Sequence, residues 1–166
     1  SVHPVTLSNL SFDIDNFDKL KLPIVNKNDL QLIIFTSGTT GIPKKVCHTY
    51  GDLYDNARLF ISHNKIKPDS VFLNFLPMSY LGGYYNLLFL PFYADSKVVI
   101  NSPFNSLQSL SFFKSMNKHQ INHLWLTPSI AKVIMGIARS RDNLIYFSKN
   151  KVRIFIGMDS ITNSLK

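Results

Sequence analysis

Leu32-Ile33-Ile34-Phe35-Thr36-Ser37-Gly38-Thr39-Thr40-Gly41-Ile42-Pro43-Lys44-Lys45-Val46 is the stretch from which the rest of this chain can be read. Four apolar residues run straight into Thr-Ser-Gly, the pattern of a buried strand that ends in a tight turn. From Thr36 to Lys44 the chain then places two glycines, four hydroxyl side chains and one lysine in nine residues. Glycine lets a backbone approach a ligand closely. Hydroxyls and free backbone N–H groups surround phosphate oxygens, and a lysine adds positive charge. The combination suits a polyphosphate. It is not a Walker A loop, because Pro43 precedes Lys44 and Lys45 follows it. It is not a dinucleotide fingerprint either, since no G-x-G-x-x-G occurs.

Regular structure is expected on the C-terminal side of this loop. Leu53, Ala57, Phe60 and Ile61 recur at helical spacing across 51–63. Val71-Phe72-Leu73-Asn74-Phe75 reads as a strand stopped before Pro77, and Lys97-Val98-Val99-Ile100 as another. Between them, 82–93 reads as a helix buried on most sides despite Pro91. Further helices are expected over 106–117 and 128–138, and further strands over 122–126 and 151–156. Proline near the first turn of the 128–138 segment costs nothing there. Short strands alternating with helices predict βαβ units, hence an α/β domain whose mainly parallel sheet is flanked by helices. Residues 1–28 carry Pro4 and Pro23 without a sustained period and read as a lead-in to a domain over 29–166.

Composition narrows the function. The chain has 166 residues, 45% hydrophobic and 13% aromatic, which supports one domain with a core and excludes a disordered tail. A single cysteine, Cys47, excludes an intramolecular disulfide framework; it reads as a small buried side chain. Eighteen basic against ten acidic residues give a net charge of +8. Such a balance suits nucleic acid, an anionic membrane or a phosphate-bearing small molecule, and reads first as a solvated basic surface. No basic helix or nucleic-acid motif is present, so nucleic acid is not an expected partner. The uncharged segment 71–94 is interrupted by Asn74, Pro77, Gly82, Gly83, Asn86 and Pro91, which argues against a membrane span. No apolar signal region occurs in the first thirty residues, and a cytoplasmic location is expected. His3, His63, His119 and His123 lack metal-ligand spacing and read as surface or capping residues. Trp125 and the phenylalanines read as core.

The loop closely resembles the phosphate-loop signature of the adenylate-forming superfamily, which includes acyl-CoA synthetases, peptide-synthetase adenylation domains and luciferases. That signature reads aromatic-Thr-Ser-Gly-Ser/Thr-Thr-Gly-x-Pro-Lys-Gly-Val. Phe35 through Lys44 match it, and so does Val46; Lys45 stands where glycine is usual. His48-Thr49-Tyr50-Gly51-Asp52-Leu53 resembles the segment that follows, with Tyr50 in place of histidine. Leu76-Pro77-Met78-Ser79-Tyr80-Leu81-Gly82-Gly83 resembles the motif L-P-L-F-H-x-x-G, with Tyr80 at the histidine or aromatic position. Leu126-Thr127-Pro128-Ser129 and the strand into Gly157-Met158-Asp159-Ser160 extend the likeness over roughly 29–165.

The resemblance implies ATP-dependent activation of a carboxylic acid to an acyl-adenylate, usually followed by transfer to the thiol of CoA or of carrier-protein phosphopantetheine. It implies that Thr36, Ser37, Gly38, Thr39, Thr40, Gly41 and Lys44 hold phosphates, and that Tyr80 and Gly83 border the acyl pocket. Mg²⁺ is implied as well, with its glutamate and the catalytic lysine expected beyond Lys166. The chain thus reads as the central part of the large domain of a longer ligase, inactive as a 166-residue piece. The alternative is a truncated or degenerate relative that serves as a non-catalytic binding remnant, to which the departures at Lys45, Tyr50, Tyr80 and Met158 point.

Overall fold

The computed structural model describes residues 23–36, 43–105, 109–138 and 141–157, with side chains inside 109–111 and 141–144 left aside. Two sheets organise them. Strands β1 (Leu30–Thr36) and β2 (Lys44–Thr49) form an antiparallel ribbon in which Thr36 faces Lys44, Ile34 faces Val46 and Leu32 faces His48. Strands β3 (Val71–Asn74), β4 (Lys97–Ile100), β5 (His123–Leu126) and β6 (Arg153–Ile156) form a parallel sheet in the order β4-β3-β5-β6. Helices α1 (Tyr50–Asn64), α2 (Leu90–Tyr93), α3 (Ser109–His119), α4 (Pro128–Ile137) and α5 (Arg141–Lys149) connect the strands, as does a π-helix over Gly82–Phe89. The expected α/β class with a mainly parallel sheet is therefore present.

The physical reasons are local. Thr49 caps α1: its hydroxyl accepts the Asp52 N–H at 3.2 Å, and the Asp52 carboxylate accepts the Thr49 N–H at 3.2 Å. This reciprocal pair satisfies two backbone donors at the helix start. The Thr49 hydrogen bonds hold the Asp52 carboxyl below its ordinary value. Lys65 ends the helix at φ 50. Leu53 and Ala57 are buried in the core, and Phe60 stacks on Trp125 at 5.1 Å. Phe72, Leu73, Phe75, Leu87, Leu90, Met116, Ile121 and Leu124 are fully buried around the central strands. The uncharged segment 71–94 divides into strand, loop and helix as expected. Its helix begins with the wider π winding and tightens one residue before Pro91, whose missing N–H costs little in the first turn of α2. Among the described residues, no helix is long and apolar enough to cross a membrane.

Four expectations need correction. The strand before the loop is not buried: β1 is largely exposed, with Phe35 at 66%, because its partner is the ribbon strand β2 and not the parallel sheet. Lys44, read as part of the loop, belongs together with Lys45 to β2. Cys47 is exposed on that ribbon, not buried. Helix α5 lies where no element was expected.

His123 is a fifth case. It is not a surface or capping residue but lies on β5, only 9% exposed, stacked on Phe72 at 4.8 Å. Its Nδ1 is 2.7 Å from Asn122 Oδ1, and its Nε2 is buried with no partner among the described residues. Burial, reinforced by the nearby Arg153 charge and opposed by Asp69, pushes its pKa from 6.5 down to about 4. Between those values the unfolded chain carries a proton on this ring and the folded chain does not. Stability is therefore lost as pH falls from 6.5 through 4, by on the order of 3 kcal/mol when fully expressed. In urea unfolding of the intact protein, His123→Gln should lose measurably less stability than the wild type between pH 7.5 and 4.5. Identical losses would contradict this account.

Candidate functional site

In an open parallel sheet, ligands bind outside the carboxyl ends of the strands, where the chain order reverses. Here the reversal is at β3: the chain leaves it for β4 on one side and returns to β5 on the other. The carboxyl end of β3 is Asn74, and the loop that follows it carries Met78, Ser79 and Tyr80. This loop faces the ribbon across a cavity of about 700 Å³. Residues 32–36 of β1 form one wall; residues 78–81, Tyr84 and Asn86 form the other.

Each wall has a structural cause. On the ribbon side, antiparallel pairing brings Thr36 opposite Lys44 at the last described pair of β1 and β2. The Thr36 hydroxyl donates to the Lys44 carbonyl at 3.4 Å. On the other side, the Tyr80 N–H donates to the Pro77 carbonyl at 3.0 Å, and the Tyr80 carbonyl accepts from the N–H groups of Gly83 and Tyr84, each at 3.0 Å. The backbone of 77–84 is thus a closed turn that enters the π-helix. Tyr80 is 41% exposed at the cavity rim.

Of the residues expected at the site, Thr36 and Tyr80 line this one cavity, and Lys44 adjoins it through its pairing with Thr36. Ser37, Gly38, Thr39, Thr40 and Gly41 lie outside the described residues, as does Met158. Gly83 is absent from the cavity wall and lies behind it. A Cβ on Gly83 would sit 2.2 Å from the Pro77 oxygen and 2.8 Å from the Leu76 oxygen, so only glycine lets the turn close.

The lining residues carry no charged side chain, whereas Lys44 and Lys45 are exposed at the ribbon tip. The arrangement is thus an apolar chamber with hydroxyl, phenol and amide groups, and a cationic edge. It can receive an apolar group on one side and an anion on the other. Among the described residues, no group of three or more His, Cys, Asp or Glu side chains could hold a metal ion.

Reading from motifs missed Asn74, Tyr84 and Asn86. Asn74 had a visible signal, a lone amide inside the apolar run Phe72-Leu73-Asn74-Phe75. Tyr84 and Asn86 had none, because a segment buried on most sides does not reveal which face meets a cavity.

Known proteins share this fold and parts of this sequence. In fold, the chain is similar to a fatty acyl-adenylate ligase from L. pneumophila in complex with acyl adenylate and pyrophosphate. The TM-score is 0.73 at 20% identity, over 93% of this chain and 28% of that one. In sequence, it is 39% identical over 71 residues to malonate–CoA ligase of Arabidopsis thaliana, covering 43% of this chain and 12% of that protein. It is 26% identical over 126 residues to gramicidin S synthase 2 of Brevibacillus brevis, covering 75% of this chain and 3% of that protein. The chain thus spans a minor part of the length of these curated relatives. The family model described as AMP-binding enzyme matches residues 4–166, nearly the full sequence, and the chain belongs to that family of adenylate-forming CoA ligases and adenylation domains.

Proposed function

We propose that this chain forms part of the site of a ligase that activates a carboxylic acid with ATP. The acid's carboxylate oxygen attacks the α-phosphorus, pyrophosphate leaves, and an acyl-adenylate results. A thiol, from CoA or from carrier-bound phosphopantetheine, then attacks the acyl carbon and AMP leaves. The observation that carries the reading is the single cavity shared by the base of the phosphate loop and the Tyr80 turn, uncharged within and cationic at its edge. Thr36, Ser37, Gly38, Thr39, Thr40, Gly41 and Lys44 hold the β- and γ-phosphates, so that the leaving pyrophosphate is oriented and its charge balanced. Tyr80 borders the acyl group at the rim, and Gly83 lets the turn beneath it close.

The test is acid-dependent exchange of labelled pyrophosphate into ATP by the intact protein, with apolar, aromatic and dicarboxylic acids and with amino acids. Exchange that requires one class of acid is the expected result. No exchange with any acid, despite a folded protein, would overturn the reading in favour of a non-catalytic relative.

A further inference from the structure

Asn74 is the one polar side chain on β3 and is almost completely enclosed, at 1% exposure. Its amide reaches both ends of the turn that follows. Oδ1 accepts the Leu76 N–H at 3.2 Å where the chain enters the turn. Nδ2 donates to the Gly83 carbonyl at 2.9 Å where the chain leaves it, and lies 3.6 Å from the Met78 sulfur between the two. The Asn74 carbonyl also accepts the Asn101 N–H at 2.8 Å, which ties the same residue to the segment after β4. A buried amide satisfied on both its donor and its acceptor side specifies one geometry, because losing either bond leaves an unpaired polar group in the interior. That geometry is shared with Gly83, whose missing Cβ allows the close approach to Pro77.

We propose that Asn74 is a positioning residue for the acid subsite: it clamps the 76–83 turn and so sets where Tyr80 and Met78 stand across the cavity from Thr36. The proposal rests on the ligase reading of the cavity and goes beyond it by naming the residue that fixes one wall. Asn74 touches no cavity space itself and acts through the turn. Its loss is felt by the acyl group, which lies against that wall, and not by the phosphates, which lie against the ribbon.

The experiment uses the intact protein with Asn74→Asp and Asn74→Ala. Asn74→Asp keeps the size and the Leu76 acceptor but removes the donor to Gly83; Asn74→Ala removes both. The expected result is an acid KM raised roughly tenfold in pyrophosphate exchange, with the KM for ATP within about threefold of wild type. Amide hydrogen exchange provides the second readout. Tyr80, Gly83 and Tyr84 should exchange faster in both variants, while α1 and β5 stay as in the wild type. An acid KM within about twofold of an active wild type overturns the proposal and leaves the ligase reading intact. If the wild type shows no exchange with any acid, the ligase reading fails; unchanged protection at Tyr80, Gly83 and Tyr84 then overturns the clamp on its own.

Discussion

Gly83→Ala is expected to remove roughly 2–4 kcal/mol of stability, or to be tolerated only by moving the Tyr80 turn out of place. The added carbon would meet the Pro77 oxygen at 2.2 Å and the Leu76 oxygen at 2.8 Å. Both are backbone atoms in a turn held by Asn74 and by the Tyr80 N–H bond to Pro77, so neither yields without breaking a bond. Gly136 supplies the control, since a Cβ there meets nothing within 4 Å. It lies in α4, where alanine is the better helix former, and Gly136→Ala should be neutral or stabilising by up to about 1 kcal/mol. Urea unfolding of the two variants side by side decides the matter. A Gly83→Ala protein as stable as the wild type, with the Tyr80 turn unmoved by hydrogen exchange, would contradict the packing described.

The pair also shows where the sequence speaks and where it is silent. Gly83 stands out in the sequence because a motif surrounds it, but the reason for the glycine is a carbonyl six residues earlier, which only the folded turn brings near. The parallel strands were legible because Phe72-Leu73, Val98-Val99 and Leu124 to Leu126 are apolar runs that need cover on both faces. Strand β2 was not, because Lys44-Lys45-Val46-Cys47-His48-Thr49 has no buried face, and its pairing with β1 is long-range information. His123 was misread because polarity in a sequence suggests solvent. On β5 the ring instead stacks between Phe72 and Phe155, with Asn122 meeting its Nδ1. The π winding of Gly82–Phe89 escaped because its residues are apolar on most sides, and a period cannot be read from a uniform segment.

Lys44→Ala is expected to lower kcat/KM for ATP in pyrophosphate exchange by about ten- to a hundredfold, while the acid KM changes little. Charge-assisted contacts to phosphate are worth roughly 1.5–3 kcal/mol, and each 1.36 kcal/mol is about tenfold. Lys44 is the residue paired with Thr36 at the base of the loop, so its position is set by the strand ladder and not by a free tail. Lys45 is the natural comparison. Successive side chains on a strand point to opposite faces, so Lys44 and Lys45 project from opposite sides of the ribbon and both cannot address the same phosphates. Lys45→Ala should therefore cost less than about threefold, even though the net charge changes equally. The contrast separates a placed cation from a general basic field. If the two variants lose activity equally, and the loss fades alike as salt is raised, then the ribbon attracts ATP only through its net charge. In that case Lys44 is no phosphate ligand. A loss confined to Lys44→Ala and persisting in salt instead assigns the phosphate contact to the face of the ribbon on which Lys44 lies.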